Sequence, residues 1–313
     1  MSNSILALSV IICTYTMERW ADLQAAVDSA LAQSVPVLEV IVVVDHHHGL
    51  YDQTRRLLPE ARLLASTGPR GLSGARNSGI AVARGDIVAF LDDDAVAGPH
   101  WAERLVDCYR EPQVIGAGGG VMPAWRAPRP RWLPEEFLWV VGCSYLGQPT
   151  ARSPVRNAIG ANMSFRREVL QRSGGFDPSV GRQGANAAGC EETELSIRVR
   201  RQFPGSMILL EPRAEVTHTV TAERVTRRYF RGRCRAEGRS KAVVTTLVGT
   251  DDALASERTY VTRTLPLGVA RGLGAVLRRE PAGAARALAI VEGLAFTTVG
   301  YLDGRARRKS GRR

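Results

Sequence analysis

Ile87-Val88-Ala89-Phe90-Leu91-Asp92-Asp93-Asp94 is the stretch that decides how this chain folds. Five apolar residues followed by an acidic run read as a strand buried on both faces, of the kind found in parallel sheets. Upstream, Leu8 to Cys13 has the same character, and Val40 to Val44 is an unbroken β-branched run. Between those two runs, Trp20, Leu23, Ala26, Val27, Ala30 and Leu31 fall at helical spacing, and Gly74 to Ala83 reads as a second helix. Strand, helix, strand, helix, strand predicts an α/β sheet built from right-handed crossovers. Ligands of such sheets bind beyond the carboxyl ends of the strands. The residues found there are Thr14-Tyr15-Thr16, Asp45-His46-His47-His48-Gly49 and Asp92-Asp93-Asp94. Polar or acidic groups at three strand ends predict one convergent site.

Three adjacent carboxylates at a buried strand end repel one another and need a counter-ion. Hard oxygen ligands suit Mg²⁺ or Mn²⁺, ions that bridge carboxylates to a diphosphate. The same residues also fit a solvated acidic turn ahead of a helix near Pro99 to Tyr109. His46-His47-His48 reads as a solvated loop, because adjacent histidines point in different directions.

Further along, Gly116 to Pro134 is rich in Gly, Pro, Trp and Arg and predicts loop and short strand. Asn162 to Phe165 predicts a strand, Arg166 to Gln171 a helix start, Gly174 to Pro178 a turn, and Glu191 to Arg201 a helix. An Arg-rich helix is expected over Glu223 to Val244, then two mildly apolar segments near 264–277 and 282–302.

The 313 residues are 44% hydrophobic and 23% charged, as in a soluble globular protein. Five cysteines, an odd number without a Cys-x-x-Cys pair, argue against a disulfide framework or zinc site and suit a reducing compartment. The run Ile5 to Cys13 lacks a basic leader and reads as a first strand rather than a secretory signal. No 18 uncharged apolar residues occur in succession, so a spanning helix is not expected. Residues 1–218 hold 22 basic and 23 acidic side chains, whereas residues 219–313 hold 20 and 8. The net charge of +11 therefore belongs to the last third. A near-neutral body with a basic extension predicts attraction to an anionic surface and no nucleic-acid partner.

Gly71-Leu72-Ser73-Gly74-Ala75-Arg76-Asn77-Ser78-Gly79-Ile80, then Ala83-Arg84-Gly85-Asp86 and Phe90-Leu91-Asp92-Asp93-Asp94, closely resembles the central block of family-2 glycosyltransferases. Val10 to Thr16 is similar to that family's first-strand motif, with Cys13 where Pro is usual and Thr16 where Asn is usual. Glu39 to Asp45 resembles its second, with Val44 in place of the first Asp of a pair. Gly174-Gly175-Phe176-Asp177 with Glu191-Glu192-Thr193-Glu194-Leu195 resembles the acceptor-side block. The resemblance covers residue 8 to about 240, in the family's order and spacing.

The resemblance implies a GT-A-type nucleotide-binding α/β/α domain over 1–218 with a mixed central sheet. Its donor half would cover about 1–115 and its acceptor half about 116–218. Residues 219–313 form a basic helical extension whose apolar face (Leu265, Leu267, Val269, Leu273, Val276, Leu277) and basic tail from Arg305 fit peripheral attachment to anionic lipid. That reading comes from the residues and not from the resemblance; a helical appendage packed on the catalytic domain with a basic end fits the same pattern. Thr14, Tyr15 and Asp45 would hold base and ribose, Arg76 would sit beside base or phosphates, and Asp92, Asp93 and Asp94 would flank ribose and divalent metal. Glu192, or Glu191, would be the general base. His218 resembles a histidine near the metal or diphosphate, and Asn162 a position lining the acceptor pocket. Trp125, Trp132 and Trp139 offer stacking surfaces for an acceptor sugar or lipid.

The implied activity moves one sugar, with inversion, from a nucleoside-diphosphate donor such as a UDP-sugar to a lipid-linked or cell-envelope glycan. The expected place is cytoplasmic, peripheral on the inner face of the plasma membrane. Arg224-Val225-Thr226-Arg227-Arg228-Tyr229 only faintly resembles the Gln-x-x-Arg-Trp motif of processive synthases, so a non-processive enzyme is expected. Two other classes fit part of the pattern. A nucleotidyltransferase would need a Gly-rich basic loop after the first strand, which Thr14 to Glu18 does not supply. A non-catalytic basic binding protein would need uniform basic character, which residues 1–218 lack.

Overall fold

The computed structural model describes residues 6–181, 189–249 and 255–310. Strands β1 (Leu8–Thr14), β2 (Glu39–Val44), β3 (Arg62–Ala65) and β4 (Ile87–Asp92) are parallel, in the spatial order β3-β2-β1-β4. The sheet continues antiparallel from β4 through β8 (Asn162–Arg166) and β6 (Val114–Trp125) to β9 (Met207–Val220) and β5 (Ala95–Ala97). β7 (Ser153–Val155) pairs with the far end of β9. The sheet is therefore mixed, as the resemblance implies.

Helices α1 (Trp20–Leu31), α2 (His48–Leu57) and α3 (Leu72–Val82) make the parallel crossovers. α1 buries Leu23, Ala26, Val27 and Ala30, one face at helical spacing. β2 is buried at every residue, which explains its unbroken apolar run. α4 (Trp101–Cys108), α5 (Arg167–Ser173) and α6 (Glu191–Gln202) complete this part of the chain. Ile11, Ile41, Phe90, Met163, Phe176 and Leu195 share one core, so strands and helices from both sequence halves bury a common surface.

Three sequence expectations need correction. The stretch from Gly116 is not loop and short strand but most of the 12-residue strand β6. Glycine is unfavourable in strands, yet here neighbours press too closely for a side chain. A Cβ on Gly119 would lie 1.6 Å from the Ala214 carbonyl oxygen. Between Asp45 and Gly71, a helix and a strand (α2 and β3) went unread, because β3 is a short edge strand with half-exposed and exposed residues. His47 caps α2 by accepting from the Leu50 amide at 3.1 Å, so the histidine run is a helix start.

The chain divides into two compact units. The first holds the sheet and α1–α6. The second comprises Pro123–Gln148, a short stretch ending at Cys190, and the chain from Thr219 onward. It contains α7 (Arg227–Val248), α8 (Ala255–Thr259), a π-helical turn at Tyr260–Thr264, α9 (Leu265–Leu277) and α10 (Ala282–Ser310). Charge pairs fasten α10 along α7. Glu292 meets Arg227 at 2.6 Å and also Arg231, while Asp303 meets Arg235 at 2.5 Å and Arg239 at 3.0 Å.

The segment Ala282–Arg307 is long and apolar enough to cross a bilayer by length and composition, which a count of uninterrupted apolar residues missed. Of the basic end, side chains from residue 308 and the whole of 311–313 lie outside the described residues.

Glu211 of β9, 1% exposed, sits between Arg152 at 2.8 Å and Arg213 at 2.9 Å. Hydrogen bonds from Arg213 and Arg152 outweigh its burial and hold its carboxyl down at about 2. Because the folded value is depressed, the stabilisation is present above the unfolded value of 4.5 and is lost as pH falls toward about 2. Allowing for solvent around exposed Arg213, it amounts to about 2 kcal/mol. Glu211→Gln is expected to flatten the acid limb of a denaturation curve between pH 5 and 2, read by urea midpoints, compared with wild type.

Candidate active site

Parallel register brings the strand ends together: Thr14 faces Val44 across β1–β2, and Cys13 faces Asp92 across β1–β4. Thr14, Asp45 and the acidic triplet thus line one edge of the sheet. Asp45 joins that edge to the start of α3, accepting from the Gly71 amide at 2.9 Å and meeting His46 Nδ1 at 2.7 Å. Gly71 has φ 124°, the left-handed region that favours glycine. Tyr15 is exposed at this edge, with the Arg19 guanidinium over its ring at 5.7 Å.

Two arginines and a histidine neighbour the acidic triplet. Asp92 meets Arg76 Nη2 at 3.3 Å. Asp93 accepts from Arg19 Nη1 at 2.9 Å, and the same nitrogen lies 3.2 Å from Asp94. Asp94 also meets His218 Nε2 at 3.1 Å, because β5 pairs Ala95 with His218 across β9. Burial and the neighbouring Asp94 charge push the Asp93 carboxyl up to about 6, with Arg19 opposing them. Arg19 is a participant that sequence reading missed. It lies in the single turn between β1 and α1, and only its distance from the first strand signals it.

Ligand atoms of Asp92, Asp94 and His218 all lie within 4.8 Å of one another. Two carboxylates and an imidazole converging from β4, its following turn and β9 form a donor set that fits a divalent cation. The structure brings together Asp92, Asp94 and His218, the three residues that the sequence reading named for the metal.

Arg76 is 2% exposed, between the rings of Phe90 and Phe176, and so lies behind the site rather than open to a ligand. It joins both halves of the domain through Asp92, Glu191 Oε1 at 3.0 Å and the Gly160 carbonyl at 3.1 Å. Its neighbour Asn77 makes a reciprocal amide pair with Phe176, at 2.8 Å in each direction. The Arg-Asn pair therefore docks the Gly174-Gly175-Phe176 turn and the start of α6 against α3. Glu191 is 5% exposed, and its Oε2 is buried without a hydrogen-bond partner. Glu192 is half-buried, and its Oε1 accepts from Thr193 at 3.2 Å. Glu194 serves the fold through a bidentate pair with Arg198 at 2.7 and 2.9 Å.

Asn162 corrects another expectation. It is fully buried; its Oδ1 accepts from Trp101 at 2.8 Å, and its Nδ2 donates to Gly120 at 3.0 Å and Ala214 at 2.8 Å. It ties β8, β6, β9 and α4 together instead of lining an open acceptor pocket. Trp125 is half-buried at the end of β6, within the second unit.

The sequence profile of Glycosyl transferase family 2 matches residues 9–174. The chain belongs to glycosyltransferase family 2. A glucosyl-dolichyl phosphate glucuronosyltransferase of Haloferax volcanii is 38% identical over 67% of this glycosyltransferase and 68% of its own length. Two solved structures share the fold. A mannosyltransferase from Pyrobaculum calidifontis in complex with GDP-Man and Mn²⁺ aligns at TM-score 0.61 and 19% identity, over 96% of this chain and 88% of its own. GalNAc-T7 with UDP, GalNAc and Mn²⁺ aligns at 0.54 and 16%, over 83% and 54%. The protein is thus a GT-A-fold glycosyltransferase, and the Asp-rich cluster stands at the strand edge where such sheets bind ligands.

Removing one partner from a buried ion pair leaves an uncompensated charge, at a cost of about 3–5 kcal/mol. Glu191→Gln is therefore expected to lower the Tm of the glycosyltransferase by several degrees. Arg76→Met together with Glu191→Gln should cost less than the sum of the two single losses, since the pair they share is broken only once. Scanning calorimetry checks this; an additive loss in the double variant would show that the two side chains are not coupled.

Proposed function

We propose that this glycosyltransferase moves one sugar from a nucleoside-diphosphate donor, a UDP-sugar, to a hydroxyl of a lipid-linked or cell-envelope glycan, with inversion and dependent on Mg²⁺ or Mn²⁺. The observation that carries the reading is the convergence of Asp92, Asp94 and His218, joined through Arg76 to Glu191, the first of the two glutamates that open α6. A bound divalent ion would be held by Asp92, Asp94 and His218 and would neutralise charge on the leaving diphosphate. The imidazole nitrogen inclines the choice toward Mn²⁺.

Inverting transfer is an in-line displacement in which a base removes the acceptor proton on one face while the nucleoside diphosphate leaves on the other. Of the two glutamates, Glu191 is committed to Arg76 and buried. Glu192, half-buried on the next position, is assigned as the base. Tyr15 and Asp45 are assigned to the base and ribose of the donor, with Thr14 beneath them. The lipid-linked acceptor rests on the Haloferax volcanii relative, whose name specifies a dolichyl phosphate glycan.

Attachment to an anionic membrane surface belongs to the same proposal. α9 exposes Leu267, Ala270, Leu273 and Leu277, and α10 exposes Leu288, Val291, Ala295, Val299 and Leu302, each set at helical spacing. Arg278, Arg279 and the basic end beyond Arg305 accompany them. An apolar face with a basic cluster is the pattern of peripheral attachment. The placement expected is the cytoplasmic face.

Asp94→Asn is expected to abolish turnover of a UDP-sugar while the Tm stays within a few degrees of wild type; wild-type turnover by this variant in excess EDTA would refute the metal site. Glu192→Gln should lose about two to four orders of magnitude in kcat and keep donor affinity, measured by single-turnover kinetics and calorimetry. Full activity in Glu192→Gln with a folded, inactive Glu191→Gln would move the base to Glu191. Leu273→Ser with Leu277→Ser should weaken co-sedimentation with anionic vesicles, and binding should fall with added salt.

A further inference from the structure

A cavity of about 460 Å³ lies wholly within the second unit, between the segment from Arg129 to Glu136 and helices α9 and α10. Five arginines and three glutamates line it. Three of the arginines are neutralised: Arg129 by Glu135 at 3.5 Å, Arg271 by Glu136 at 2.5 Å, and Arg286 by Glu280 at 3.5 Å. The Arg131 and Arg278 side chains have no ion-pair or hydrogen-bond partner among the described residues. The lining is thus left with two uncompensated guanidinium groups. Glu136 is buried, and Gly268 and Gly272 bring α9 close to Glu136, Ile290 and Ala287.

The surroundings are apolar and exposed. Leu146 lines the cavity at 40% exposure, and Leu277, next to Arg278 in the chain, is 88% exposed. Two uncompensated guanidinium groups lining one cavity match a phosphate monoester or diphosphate, and adjoining leucines match acyl or isoprenoid chains. We propose that this cavity binds the phosphate of a lipid, with Arg131 and Arg278 as its ligands. This rests on the membrane-attachment part of the proposed function and adds headgroup selection to it.

The test uses the full chain and phosphatidylcholine vesicles carrying either phosphatidic acid or phosphatidylserine at matched surface charge. Wild type is expected to bind the phosphatidic acid vesicles more tightly. R131Q/R278Q should lose roughly fivefold in affinity per arginine on those vesicles and lose the headgroup preference. R55Q/R56Q, which removes the same charge from α2, should retain both. Hydrolysis of a UDP-sugar by R131Q/R278Q should match wild type, which separates this site from the transfer chemistry. Unchanged vesicle binding by R131Q/R278Q, or no headgroup preference in wild type, would overturn the phosphate site while leaving attachment itself standing. Inorganic phosphate binding as tightly as dihexanoyl phosphatidic acid in calorimetry would overturn the lipid assignment.

Discussion

Arg76 is the interaction on which the rest of the first unit depends. A guanidinium cannot lose its protons, so a buried one must be surrounded by acceptors. Here they come from three distant places: Asp92 at the end of β4, the Gly160 carbonyl ahead of β8, and Glu191 at the start of α6. Removing any one leaves charge in a space walled by Phe90 and Phe176. That requirement aligns the donor edge of the sheet with the glutamate-bearing helix, and the chemistry of both halves inherits the alignment.

The acidic triplet is organised by the same logic. Three adjacent carboxylates would repel one another if left alone, and the fold sets Arg76, Arg19 and His218 around them. Asp92 faces Arg76, Asp93 faces Arg19, and Asp94 lies between Arg19 and His218. Asp92 keeps its side chain about a third exposed while Asp93 and Asp94 are almost covered. The strand end is therefore held in one geometry before any ligand arrives, which is the condition for a preorganised electrostatic site.

The second unit handles charge differently. Much of the basic surplus read from the last third is matched internally. Arg227 and Arg231 share Glu292, Arg235 and Arg239 share Asp303, and Arg271 meets Glu136. Among the described residues, Arg131 and Arg278 stay unmatched beside exposed leucines. Charge and apolar surface coincide on α9 and α10, and that coincidence supports the membrane reading more than the count of arginines does.

The alternation of strand and helix around β1, β2 and β4, the acidic edge and the family were legible in the chain itself. Ile87 to Asp94, Val40 to Asp45 and the Arg76-Asn77 block are local patterns whose burial and chemistry follow from residue type and spacing. His218 was legible only through resemblance, because its partner Asp94 is far away in sequence and a β5–β9 pairing joins them. Arg19, the strand hidden in Gly116 to Trp125 and the closed amide of Asn162 were not legible. Each depends on what another segment presents at close range: two carboxylates for Arg19, the Ala214 carbonyl against Gly119, and the Trp101 indole for Asn162. Sequence pattern determined which edge of the sheet would be acidic and that a glycosyltransferase site belonged there. Only the tertiary structure decided which carboxylates converge with His218 and which glutamate is locked in an ion pair, because burial and counter-charge are properties of segments brought together and not of any one of them.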